Sequence, residues 1–137
     1  MQRSFPREVA ALDSVFDLIS DFVTAHQIDD GAAFAVRLAV EELFVNMVRY
    51  NPGNPNAIRV ELSKVGGRIV VTMTDSGVER FDLTKVPAYD GSLSLEARRP
   101  GGLGIHLAKK LMDRVEYAYQ DGQSTITLTK RLGGHDV

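Results

Sequence analysis

Between Glu8 and His26 the apolar residues Val9, Leu12, Phe16, Ile19 and Val23 recur every three or four positions, with Asp13, Asp17 and Asp21 on the other side. That spacing predicts an amphipathic helix burying one stripe. Ser4-Phe5-Pro6, just ahead, fits a short strand or a lead-in to the helix. A second helix is predicted from Asp29 or Asp30, which can cap free N–H groups, to about Tyr50, before the turn-rich Asn51-Pro52-Gly53-Asn54-Pro55. From Ala57 to Lys64 the pattern changes to period two, Ile58, Val60 and Leu62 alternating with Arg59, Glu61 and Ser63. This is the signature of a half-buried strand, and Gly66-Gly67 turns it into a second one, Arg68 to Thr74.

Residues 75 to 101 hold turn formers (Ser76, Gly77, Pro87, Gly91, Pro100) and little periodicity. So long a stretch without an element usually marks a functional lid. A third helix is predicted over Leu103 to Met112, then two strands, Arg114 to Tyr119 and Ser124 to Lys130, joined at the hairpin signal Asp121-Gly122. Together these elements predict one α+β domain over residues 1–137, a two-layer sandwich of a mostly antiparallel sheet with about three helices on one face.

Composition narrows the function classes. In 137 residues the net charge is only −2 and there is no cysteine. A basic nucleic-acid footprint is absent, and so are a disulfide framework and a thiolate metal site. His26, His106 and His135 are scattered, which argues against zinc. No segment approaches the ~20 apolar residues that cross a bilayer, and the start of the chain lacks a signal-peptide apolar region. A soluble, cytoplasmic protein is expected.

Three places carry candidate chemistry. On the second helix Val36, Val40, Leu43 and Met47 share one face and are core candidates, while Ala35, Ala39, Glu42 and Asn46 line the neighbouring strip. Glu42 and Asn46 stand one turn apart, so a proton acceptor and a hard oxygen ligand for magnesium project together beside two small alanines. By themselves they also fit a solvated glutamate and a carbonyl-bonding asparagine. The second place is Thr74-Asp75-Ser76-Gly77 at a strand end. There the carboxylate can accept from an exocyclic amine such as adenine's and the glycine allows a close turn, although Asp-x-Gly is also a common turn. The third is Pro100-Gly101-Gly102-Leu103-Gly104 leading into a helix, where backbone N–H groups can approach phosphate oxygens. It is neither a dinucleotide fingerprint, since position 107 is Leu107, nor a P-loop, since no Lys-Ser or Lys-Thr follows; a flexible helix lead-in is the other reading.

The order of the three is more specific than any one. A Glu-x-x-x-Asn helix, Asp-x-Gly after a strand, a lid, then Gly-x-Gly before a helix resembles the Bergerat, or histidine-kinase-like, ATPases. The stretches AVEELFVNMVRY, DSGVERFD and GGLGIHLAKKLMDRVEY are similar to those of the bacterial anti-sigma-factor serine/threonine kinases of partner-switching systems. The resemblance covers nearly the whole chain. It implies ATP and Mg2+ as cofactors, Glu42 as general base and Asn46 as magnesium ligand. Asp75 would read the adenine amine, with Gly77 passing close to the base. Gly101, Gly102, Leu103 and Gly104 would shape the phosphate-side turn, although the family's first glycine there falls at Pro100.

The implied partners are a STAS-type antagonist as phosphate acceptor and a sigma factor or another regulatory protein, and the resemblance allows a homodimer. Neither nucleic acid nor membrane is an expected direct partner. The lid from about Phe81 to Arg99 would exclude water. Arg98 and Arg99 fit either a γ-phosphate contact or solvated lid charges, and His106 reads as an ordinary helix histidine. Besides the kinase, two functions remain open: a non-catalytic ATP-dependent protein-binding regulator, and a small ATPase. Retention of Glu42 speaks for the kinase, since a mere holder needs no base.

Overall fold

The computed structural model describes residues 1–50, 53–78 and 108–132. Strand β1 (Gln2–Phe5) runs through a short 3-10 turn (Val9–Ala11) into helix α1 (Leu12–His26), followed by helix α2 (Asp30–Tyr50). Strands β2 (Ile58–Val65), β3 (Arg68–Ser76), β4 (Arg114–Gln120) and β5 (Gln123–Arg131) complete a five-stranded sheet of order β1-β2-β3-β5-β4. All of its pairings are antiparallel. The expected α+β sandwich with a mostly antiparallel sheet is therefore what forms. Of the expected third helix, residues 108–111 are helical, and its start lies outside the described residues.

Local chemistry sets the boundaries. Asp29 caps α2 as expected, its Oδ2 accepting from the Ala32 N–H at 3.0 Å. Helix α1 stops where Gln27 turns left-handed (φ 52°), and the Ile28 N–H then closes on the Val23 carbonyl at 3.0 Å. At the β4–β5 hairpin Asp121 and Gly122 both have positive φ, the primed turn that the Asp-Gly pair favours.

One predicted stripe differs from the buried one. The helix proper begins at Leu12, because the chain first makes the 3-10 turn, so Val9 is 45% exposed rather than core. The buried stripe of α1 is Val15, Leu18, Ile19 and Phe22, with Leu12, Phe16 and Val23 on its flanks. On α2 the expected face holds: Val36, Val40, Leu43 and Met47 are all buried.

The sheet turns its alternate residues onto these helices. Leu62, Val71 and Leu128 form one cross-strand row of the inner face, and Val60, Met73 and Ile126 form the next; all are buried. Each such side chain contributes roughly 1.5–3 kcal/mol by leaving water. They join α1 and α2 in a single core, to which Ala108 and Met112 also belong. The following row breaks the apolar pattern, and the site is built there.

Candidate functional site

That row is Phe5, Ile58, Asp75, Ser124 and Tyr119, read across β1, β2, β3, β5 and β4. Asp75 keeps the inward phase of Ile69, Val71 and Met73, so an ionisable group points to the helix side of the sheet. The strand also runs two residues further than the pattern predicts, to Ser76, because Asp75 and Ser76 pair with Ser124 and Gln123 of β5. Asp75 is thus a ladder residue, 3% exposed, and not part of a loose loop.

A carboxylate buried to that degree requires a partner. Arg7 supplies it: Nη2 donates to Asp75 Oδ1 and Nη1 to Oδ2 at 3.4 Å, and both side chains are 4% exposed. The register explains the meeting. Phe5 lies in the same row as Asp75, and the chain leaving Phe5 turns at once, the Glu8 N–H bonding the Pro6 carbonyl at 2.8 Å. Arg7 is therefore held over that end of the sheet. Its Nη1 also donates to the Met47 carbonyl at 2.9 Å. Met47 is among the last four residues of α2, whose carbonyls lack helical partners and carry the negative end of the dipole. The guanidinium so satisfies a helix end and a carboxylate together. Removing one member of such a buried pair costs about 3–5 kcal/mol.

Next to Met47 stands Asn46, 1% exposed, and one turn back along the same strip stands Glu42, half-buried. Ala35 and Ala39, expected to leave room beside them, are buried at 5% and 0%. Arg7 therefore brings Asp75 to the end of α2 that carries the asparagine. Among the described residues there is no cluster of three or more His, Asp or Glu side chains able to cage a metal. The buried Asn46 amide oxygen is instead a donor that suits magnesium, which keeps waters and takes one or two protein oxygens beside substrate phosphates.

The turn after Asp75 is strapped from two sides. Gly77 has φ +72°, a conformation that favours glycine, and a Cβ there would lie 2.5 Å from Asn56 Nδ2, so that side chain would have to shift. Asn54 Nδ2 donates to the carbonyls of Ser76 (2.9 Å) and Gly77 (3.2 Å), and Asn56 Nδ2 donates to Ser76 at 3.2 Å. From the other side the Tyr119 hydroxyl donates to the Val78 carbonyl at 2.9 Å, and the Val78 N–H bonds Gly122 at 3.1 Å.

Sequence reasoning missed Arg7, Asn54, Asn56 and Tyr119. The only signal was indirect: an Asp in the inward phase of a strand calls for a buried cation. The predicted Gly101, Gly102, Leu103 and Gly104, with Pro100, Arg98, Arg99, His106 and the lid from Phe81, lie outside the described residues.

A five-stranded antiparallel sheet layered on helices matches the fold of the histidine kinase-like ATPase domains. That family matches residues 5–130, and the chain belongs to it. Similar sequences include serine kinases. The serine/threonine-protein kinase BtrW of Bordetella bronchiseptica is 30% identical over 98 residues, covering 70% of this chain and 68% of BtrW. The serine-protein kinase RsbW of Staphylococcus aureus is 30% identical over 108 residues, covering 74% of this chain and 67% of RsbW. Among solved structures, the RsbU and RsbW domains of a Mycobacterium tuberculosis protein superpose with a TM-score of 0.69 at 16% identity, which is a likeness of fold. It covers 96% of this chain but only 31% of that longer one. No helix among the described residues is long and apolar enough to cross a membrane.

Proposed function

We propose that this protein is an ATP-dependent serine/threonine-protein kinase of the anti-sigma-factor type. It phosphorylates a STAS-type antagonist and regulates transcription by switching between that antagonist and a sigma factor or another regulatory protein. A cytoplasmic setting and a homodimer belong to the same proposal. The observation that carries it is the pairing on α2: a half-buried carboxylate, Glu42, one turn from a fully buried amide, Asn46. The similarity to BtrW and RsbW supports the choice of a protein hydroxyl as acceptor.

Phosphoryl transfer asks a protein for alignment, charge neutralisation and a proton acceptor. Mg-ATP, when bound, supplies the phosphoryl group and the cation that neutralises it. Asn46 offers its amide oxygen to magnesium. Glu42, reachable from solvent on one side, accepts the proton of the incoming serine or threonine hydroxyl. Asp75 accepts the exocyclic amine of adenine, and Gly77 lets the turn pass beneath the base. Gly101, Gly102, Leu103 and Gly104 shape the phosphate-side turn.

The test is Glu42→Gln, assayed with a STAS-type acceptor protein. Phosphorylation is expected to fall by at least about 100-fold, the usual worth of a general base. ATP affinity stays near that of the wild type. Retained phosphorylation would remove Glu42 as the base. A wild-type protein that binds ATP but phosphorylates no acceptor would leave the protein-binding regulator as the better reading.

A further inference from the structure

Arg7 is absent from every role assigned so far, yet it is buried and held at three points beside the candidate site. Its side chain is 4% exposed and its guanidinium makes three contacts at once, two on Asp75 and one on the Met47 carbonyl. The remaining nitrogen, Nε, is buried too and has no acceptor among the described residues, so the planar fork alone carries the pairing. A carboxylate has roughly four acceptor positions on its two oxygens, and a fork-to-fork pair takes two of them. An Asp75 held at both oxygens in this way still has acceptor capacity for an incoming N–H, and the pair constrains its plane. The Met47 contact fixes the guanidinium in turn against the end of α2, next to Asn46.

We propose that Arg7 is a positioning residue of the nucleotide site: its fork, braced on the Met47 carbonyl, sets the plane of the Asp75 carboxylate that receives an exocyclic amine, and thereby sets the preference for adenine. The inference rests on the reading of Asp75 as the adenine contact and adds the residue that makes the contact selective. Lysine would keep the positive charge and much of the stem, but as a point charge it cannot hold both carboxylate oxygens in one plane.

The experiment is calorimetric titration of wild type, Arg7→Lys and Arg7→Met with Mg-ATP and with the Mg complex of purine riboside triphosphate, which has the same phosphates and ring but no amine. Wild type is expected to prefer ATP by about 10- to 100-fold, the worth of one hydrogen bond to a charged acceptor. In Arg7→Lys that ratio should fall at least about fivefold, with affinity for the amine-free analogue held within about twofold, since a misaligned acceptor loses only its own bond. A merely structural arginine would instead weaken both ligands equally and leave the ratio intact, and that result overturns the proposal. Arg7→Met unfolds if the buried Asp75 cannot stand alone; Arg7→Lys then decides. A measurement on the unsubstituted protein needs no tolerant variant: the guanidinium NMR signals of Arg7 should respond to ATP and not to the analogue, and an identical response to both overturns the inference. A wild type with no preference for ATP would sink the Asp75 reading itself, a different failure from a preference that survives both substitutions.

Discussion

At the scale of single residues the site is governed by where a charge or a Cβ can fit. Asp75 is tolerated on the inner face because Arg7 accompanies it. Asp75→Asn swaps half of an acceptor pair for a donor facing a guanidinium, so it loses both the ion pair and an acceptor for adenine. Its ATP affinity is expected to drop by about tenfold or more, while affinity for the amine-free analogue falls less. Titration with both ligands checks this, and equal losses would count against the adenine role. Gly77 is constrained differently. Gly77→Ala forces a side chain into φ +72° and against Asn56 Nδ2. A cost of about 1–3 kcal/mol is expected, seen as a lower melting temperature together with weaker nucleotide binding.

The elements explain why the turn after β3 stays in place without secondary structure of its own. The segment leaving α2 returns two asparagine side chains to the Ser76 and Gly77 carbonyls, and the β4–β5 hairpin supplies Tyr119. Asn54→Ala removes two of these hydrogen bonds. It should weaken ATP binding by several-fold and, at about 0.5–1.5 kcal/mol for each bond, lower the melting temperature as well. The cap of α2 makes a different case. Asp29→Ala frees the Ala32 N–H at the far end of the helix, so it should cost about 1 kcal/mol of stability and leave nucleotide affinity unchanged. Thermal melting beside ATP titration separates the two variants.

For the whole molecule, the single core shared by sheet and helices makes the site's parts interdependent. Phe44 of α2 and Phe5 of β1 meet edge to face at 6.3 Å, so the helix bearing Glu42 and Asn46 is locked to the strand that delivers Arg7. Phe44→Ala empties a fully buried position and is expected to cost about 3–5 kcal/mol, measured by denaturant unfolding. A ligand that engages α2 and β3 together should in turn stabilise the entire domain. Mg-ATP at 100 times its Kd is expected to add about 2.7 kcal/mol and raise the melting temperature, and GTP should do much less. Equal shifts with the two nucleotides would contradict adenine reading at Asp75.

The sequence by itself determined the elements and the helix strip. Alternation at Ile58, Val60 and Leu62, the Asp-Gly hairpin and the cap at Asp29 are local signals, and local backbone energetics are enough to realise them. That Glu42 and Asn46 share one strip of α2 was legible for the same reason, since one helical turn joins them. The stripe of α1 was read too narrowly: Val15, Leu18 and Phe22 are buried beside Ile19, whereas Leu12, Phe16 and Val23 only flank the core and Val9 falls in a 3-10 turn before the helix. Only the tertiary structure decided that Asp75 is a buried ladder residue, that Arg7, 68 positions earlier, is its counter-ion, and that Asn54, Asn56 and Tyr119 bind the turn beyond it. Those contacts depend on the register across five strands, and register is settled only when the inner face of the sheet finds its helices.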